Sequence, residues 1–291
     1  MQYAIADIGS NTIVLLVYEM ENHIPKPILH ISTPAHLIDD VDENKVMSKQ
    51  GIQKATTILN EYAKKLDEMH IHYRWADITE PCRIQNQDEL VQSLRSTSWQ
   101  IYPLTGEQEA SYDFLGVQYS YPDLKDGIAF DVGGGSTELI SYQDGNPIDA
   151  MSFPLGCVRL AHLPLDTPQC KKYIQEAQQQ YPSLDRMCKR LIGIGGTVRA
   201  ADKVYTSFYP TSSCMQVNQL EDIYAHLVQK DERYVQAMQA NVGESRQKVF
   251  LPGLHMVLEI ARNYQAESIL ISSTGIREGF LTTRLHEEGI L

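Results

Sequence analysis

A chain of 291 residues predicts about two domains, and 43% hydrophobic with 21% charged residues is the make-up of a water-soluble globular protein. The net charge of −12 argues against a general nucleic-acid binder, and no apolar run approaches the roughly 20 residues of a membrane helix. Five scattered cysteines without a CxxC pair support neither a disulfide framework nor a structural zinc site. Together with an N-terminus that enters a strand without a basic, cleavable leader, they predict a cytoplasmic protein with reduced thiols.

The first elements read as two apolar strands over 3–9 and 12–20, joined by the turn Gly9-Ser10-Asn11, with a third strand in "KPILHIST". Ile52, Ala55, Leu59, Tyr62, Leu66 and Met69 recur near helical spacing behind a Ser48 cap, predicting a long amphipathic helix. "YRWADIT" returns as a strand, "NQDELVQSLRSTS" as a helix and "WQIYPL" as a strand. The segment from Thr105 to Ser120 reads as a helix capped by Thr105. The order then restarts with the strands "GIAFDVG", "STELISYQ" and "DAMSFPL", the last two separated by the turn Asp144-Gly145-Asn146-Pro147. Helical segments, the strands "RLIGIG" and "SILISS", and a final helix from about Ile276 complete the chain. His70 and His72 alternate as on an exposed strand edge, and no third metal ligand accompanies them.

Laid side by side, "AIADIGSNTIVLLVYEMENHIPKPI" and "GIAFDVGGGSTELISYQDGNPIDAM" share one grammar of strand, Asp, small-residue turn, strand, turn and strand. Such a duplication predicts two related α/β domains flanking a cleft, divided into residues 1–120 and 121–291, with the last helix able to pack back on the first. Three consecutive glycines let backbone amides approach an anion, and Ser136 and Thr137 add hydroxyls. Asp131 and Glu138 bracket that turn and suit a hard cation such as Mg²⁺. "LIGIGGTVRA" is a third glycine turn, with Gly195, Gly196 and Thr197 opening a helix.

"DIGSNT", "TGEQEASYDFLGV", "FDVGGGSTELI", "FPLGCVRL", "GIGGTVRA" and "SSTGIREG" occur in the order found in the exopolyphosphatase/guanosine pentaphosphate phosphohydrolase (Ppx/GppA) family, which the chain resembles from residue 5 to 279. The resemblance implies two ribonuclease-H-like domains of the actin-like ATPase superfamily, and Mg²⁺ with Mn²⁺ as its substitute. It further implies a homodimer and hydrolysis of the terminal phosphoanhydride bond of inorganic polyphosphate or of guanosine pentaphosphate, with no nucleic-acid or membrane partner. Carried over by position, Glu109 matches the base that activates water, and Arg83 matches the arginine at the end of a strand. Asp131, Glu138 and Asp7 match the metal and phosphate-loop carboxylates. Gly9, Ser10, Asn11 and Thr12 on the first loop match phosphate-binding positions, as do Gly133, Gly134, Gly135, Ser136 and Thr137 on the second. Gly195, Gly196, Thr197, Arg159 and Arg277 complete the set. Glu107, two residues before Glu109, reads as a surface glutamate.

The chain also departs from the family pattern. "ITEP" at 78–81 stands for the family's "ATSA", bringing Glu80 and Pro81 beside the phosphate path; Thr12 replaces the more usual serine, and Lys248 an acid after Arg246. A histidine-glycine strand is not recognisable around "SSCMQVNQL". The length resembles the short, two-domain members. Two readings from other classes stay open: an actin-like kinase, which needs ATP and an acceptor, and a binding-only sensor of phosphate compounds.

Overall fold

The structure, a computed structural model, describes residues 1–21, 24–210 and 214–291. Contacts divide the chain into two compact units, one of Met1–Glu109 with Phe280–Leu291 and one of Ala110–Gly279. The duplicated sequence pattern places the boundary after residue 120.

In the first unit the strands are β1 (Gln2–Ile8), β2 (Thr12–Glu21), β3 (Ile24–Pro34), β4 (Tyr73–Ile78) and β5 (Gln100–Pro103). They form one sheet in the order β3-β2-β1-β4-β5, antiparallel from β3 to β1 and parallel from β1 to β5. Asn22 and His23, where the sequence predicts a turn between the second and third strands, lie outside the described residues. Helix α1 (Lys49–Glu68) begins where Ser48 accepts the Gly51 N–H at 3.0 Å. Its buried stripe of Ile52, Ala55, Leu59, Tyr62 and Leu66 joins Ala4, Ala6 and Ile8 of β1 in the core. Each fully buried leucine or isoleucine there contributes about 1.5–3 kcal/mol. Helix α2 (Gln87–Arg95) adds Leu90 and Leu94. His70 and His72 are not on a strand edge as expected. They lie in the turn after α1, where His70 ends the helix at φ 58°.

Helix α3 (Gly106–Ser120) leads to the second unit, whose strands are β6 (Asp126–Val132), β7 (Thr137–Gln143), β8 (Asn146–Phe153), β9 (Arg190–Ile194), β10 (Cys214–Gln216) and β11 (Ser268–Ile271). Their order is β10-β11-β9-β6-β7-β8. Without β10, the run from β8 to β11 repeats the first sheet strand for strand, antiparallel hairpins on one side and parallel pairs on the other. This is the ribonuclease-H-like arrangement in both units. The turn after β7 is shorter than the sequence predicts. Asp144 and Gly145 take φ 50° and 73° as a two-residue hairpin turn, so Asn146 and Pro147 belong to the strand. Strand β10 was not anticipated, and Ser212 and Ser213 just before it lie outside the described residues.

The helices of this unit are α4 (Cys157–Leu160), α5 (Gln169–Gln180), α6 (Gly195–Tyr205), α7 (Val217–Val228), α8 (Glu232–Asn241) and α9 (Glu244–Asn263), and α10 (Ile276–Glu287) closes the chain. Val198, Leu220, Leu254, Val257 and Leu258 pack with Phe130 and Leu139 into the second core.

His255 on α9 is 8% exposed, with Nδ1 3.2 Å from the Tyr224 hydroxyl and no hydrogen-bond partner at Nε2. Burial pushes its pKa below the usual histidine value; Glu259 and Asp166 oppose that shift, and Arg262 adds to it. An unfolded histidine binds its proton near pH ~6.5, so below that pH the unfolded state holds more protons. Stability is therefore lost as pH falls below about 6.5. The thermal midpoint is expected to drop more between pH 7 and pH 5 in the wild type than in His255→Gln. Equal drops would place the acid sensitivity elsewhere.

Candidate active site

The two Asp-containing loops share a construction as well as a pattern. In the first, Gly9 donates its N–H to the Thr12 carbonyl at 3.1 Å; in the second, Gly133 donates to the Ser136 carbonyl at 3.0 Å. Asp7 and Asp131 each stand two residues before the glycine, at the ends of β1 and β6.

Neighbouring segments hold each loop by its carbonyls. Ser10 O accepts from Ile38 N–H, and Asn11 O from Ala35 and His36 N–H. In the second unit Gly133, Gly134 and Gly135 carbonyls accept from Cys157, Val158 and Gly156 N–H at 2.9, 2.9 and 3.2 Å. A trans peptide points its N–H opposite to its carbonyl. The amides of Gly134, Gly135 and Ser136 therefore point away from α4, as an anion-binding nest requires. The "FPLGCVRL" segment thus acquires a physical role. A Cβ on Gly156 would fall 2.4 Å from Gly134 O and 2.6 Å from Gly133 O, so only glycine lets α4 dock on the loop. Arg159 is half-buried on that short helix.

Several hydroxyls expected to face phosphate serve the scaffold instead. Thr137 Oγ1 donates to Leu155 O at 2.8 Å and Thr197 Oγ1 to Val132 O at 2.6 Å, so neither hydroxyl proton is offered to an anion. Ser136 Oγ and Ser152 Oγ both donate to Glu138 Oε1, at 2.8 and 2.6 Å, and Glu138 is 1% exposed. Ser10 Oγ donates to Glu80 Oε2 at 2.7 Å.

The third glycine turn gathers charge. Gly195 has φ 79°, and a Cβ there would lie 2.0 Å from Asp131 Oδ1, so the aspartate rests directly on the turn. The Arg246 guanidinium covers Gly196 in the same way. Arg199 donates to Ser272 O at 3.4 Å; burial lowers its pKa most, Arg277 and Arg246 add to that, and Asp131 and Glu278 oppose it. The arginine remains charged at neutral pH, because its ordinary value is so high. Arg246 and Arg277 are thus neighbours of Arg199 in a cationic group, with Asp131 and Glu278 as acidic neighbours of Arg199. Arg199 lies in the third glycine turn that the sequence marks as an anion site, without a phosphate-binding role assigned to it; Arg246 reaches the turn from α9 and was not among the expected site residues.

In the first unit, α3 opens with a capping box. Thr105 Oγ1 accepts the Gln108 N–H at 3.2 Å, and Gln108 Oε1 accepts the Thr105 N–H at 2.9 Å. The next residue, Glu109, pairs its carboxylate with the Arg83 guanidinium, the side chains being 12% and 26% exposed. Glu107 is exposed. Arg83 follows the short turn Glu80–Cys82 that ends β4. Burial pushes the adjacent Cys82 thiol up to about 11, which leaves it protonated and inert at neutral pH.

Among the described residues, no group of three or more histidine, cysteine or acidic side chains is placed to hold a metal alone. Mg²⁺ does not need one, since it is commonly held by one or two carboxylates plus water and substrate phosphate. Asp131, half-buried and resting on the Gly195 turn, fits as such a ligand. Glu138 has one oxygen committed to two serines, and Asp7 is 9% exposed beside its register partner Asp77.

The sequence profile of the Ppx/GppA phosphatase family matches residues 16–288. The chain belongs to this family. Ppx/GppA relatives carry two kinds of name. The chain is 31% identical over 175 residues to Exopolyphosphatase 1 of Mycobacterium tuberculosis, covering 58% of this chain and 51% of the relative. It is 20% identical over 294 residues to the guanosine-5'-triphosphate,3'-diphosphate pyrophosphatase of Pseudoalteromonas atlantica, covering 96% and 58%. It thus spans just over half the length of these two curated relatives. The crystal structure of an exopolyphosphatase from Cytophaga hutchinsonii superimposes with a TM-score of 0.84 at 20% identity, covering 99% of this chain and 98% of that one. At that identity the likeness establishes the Ppx/GppA fold.

Proposed function

We propose that this chain is a Mg²⁺-dependent exopolyphosphatase that releases orthophosphate from the end of inorganic polyphosphate by carboxylate-assisted attack of water. The observation that carries the reading is the pairing of Glu109 with Arg83. A carboxylate acting as base must be ionised and held in one orientation, and a guanidinium contact favours both. Arg83 is also the type of donor that recognises phosphate oxygens, so phosphate arriving at it frees Glu109 to accept a proton from water. The amides of Gly134, Gly135 and Ser136 are turned to receive phosphate oxygens, with Arg199, Arg246 and Arg277 supplying positive charge. Asp131 would hold the ion. Bound there, Mg²⁺ neutralises charge on the phosphate oxygens.

A second reading, removal of the 5′ phosphate from guanosine pentaphosphate, is favoured by the name of the Pseudoalteromonas relative. Polyphosphate is preferred because every group assigned to substrate is an amide, an arginine or a carboxylate, and none is assigned to a purine. Orthophosphate release is to be measured with Mg²⁺ on tripolyphosphate, long-chain polyphosphate, guanosine pentaphosphate and ATP, with no acceptor present. The proposal expects release from the inorganic chains with the highest kcat/KM. Faster release from guanosine pentaphosphate would favour the second reading, and a requirement for ATP with an acceptor would favour a kinase.

A further inference from the structure

The first loop is backed by a buried anion, Glu80, on the turn that follows β4. Thr79 Oγ1 donates to Ile8 O at 3.3 Å, and Thr197 Oγ1 donates to Val132 O, one residue after Asp7 and Asp131 respectively. The two threonines therefore occupy equivalent places in the duplicated units. By that equivalence Glu80 stands where the second unit has the apolar Val198, and Pro81 where it has Arg199, part of the cationic group.

Glu80 is 8% exposed and holds the hydroxyl of Ser10, itself 5% exposed. That hydroxyl is the first loop's one buried side-chain donor, and its proton is spent on a carboxylate. Pro81 removes a backbone N–H from the same turn. Asp7 and Asp77, register partners at the ends of β1 and β4, add two more buried carboxylates nearby. With the Ser10 hydroxyl tied to Glu80 and no N–H on Pro81, this end of the first unit offers fewer donors to an anion.

We infer that Glu80 is a positioning residue that sets substrate affinity: acting through Ser10, it weakens the first loop's hold on phosphate by withdrawing a donor and adding negative charge. The inference rests on the polyphosphate reading. It gives the departure from "ATSA" to "ITEP" a consequence: a raised KM, with the chemistry at Glu109 left to other groups. A buried charge acting at short range is screened little by salt, so the isosteric Gln variant, rather than ionic strength, separates charge from bulk.

The test uses Glu80→Gln, which keeps the side-chain length and still accepts the Ser10 hydroxyl, and Glu80→Ser, which removes both charge and bulk. KM and kcat for long-chain polyphosphate are measured at one ionic strength. Both variants are expected to lower KM about five- to tenfold, as loss of a buried charge repulsion does. KM is expected to move more than kcat. Since either variant alone reads the charge, failure of one to fold leaves the other decisive. An unchanged or higher KM overturns the role of Glu80 while leaving the polyphosphate reading standing. Absence of turnover by the wild type overturns both.

Discussion

Glu109→Gln is expected to leave the protein folded and to slow orthophosphate release from polyphosphate by about 10²–10⁴-fold, the contribution of a positioned general base. Glutamine has the same shape but cannot take the proton of the attacking water. The carboxylate sits in the first turn of α3, fixed by the capping box of Thr105 and Gln108 and by Arg83. The loss is therefore expected in kcat, with a smaller change in KM, because the amides proposed to hold phosphate lie on another loop. An unaltered thermal midpoint separates this from unfolding. Equal kcat in wild type and variant would remove Glu109 from the chemistry.

Gly195→Ala is the second change expected to have a large effect. A side chain at φ 79° is strained by about 1–2 kcal/mol, and here its Cβ would also meet both oxygens of Asp131, at 2.0 and 2.3 Å. The aspartate must move off the turn. We expect at least a tenfold loss of kcat/KM and a higher Mg²⁺ concentration for half-maximal activity, with a thermal midpoint lowered by several degrees, as ~1–2 kcal/mol implies for a chain of this size. Gly243→Ala is the control, because a Cβ there meets nothing within 4 Å. Retained activity and Mg²⁺ dependence in Gly195→Ala would show that Asp131 need not stand where the turn holds it.

The parts of this architecture that local chemistry dictates were legible in the residues. The stripe of α1, the Ser48 and Thr105 caps and the alternation of apolar strands with small-residue turns depend on neighbours within a few positions. The duplication was legible because Gly9-to-Thr12 and Gly133-to-Ser136 are built alike. What escaped depends on tertiary placement. The three-residue β10 exists through its pairing with β11, too short to leave a pattern of its own. The scaffold roles of the Thr137 and Thr197 hydroxyls depend on which face of a strand or helix meets a carbonyl. The Ser10–Glu80 bond spans 70 residues, and Arg246 reaches Gly196 from a different helix. A residue type that suits phosphate does not say where its side chain will be spent.

³¹P magnetic resonance of long-chain polyphosphate with the protein and Mg²⁺ reads directly which bond breaks. Removal of terminal phosphates one at a time predicts a growing orthophosphate signal while the end-group signal stays constant until the chains are nearly consumed. An end-group signal that rises as internal phosphate falls, or a spectrum without orthophosphate, would contradict it.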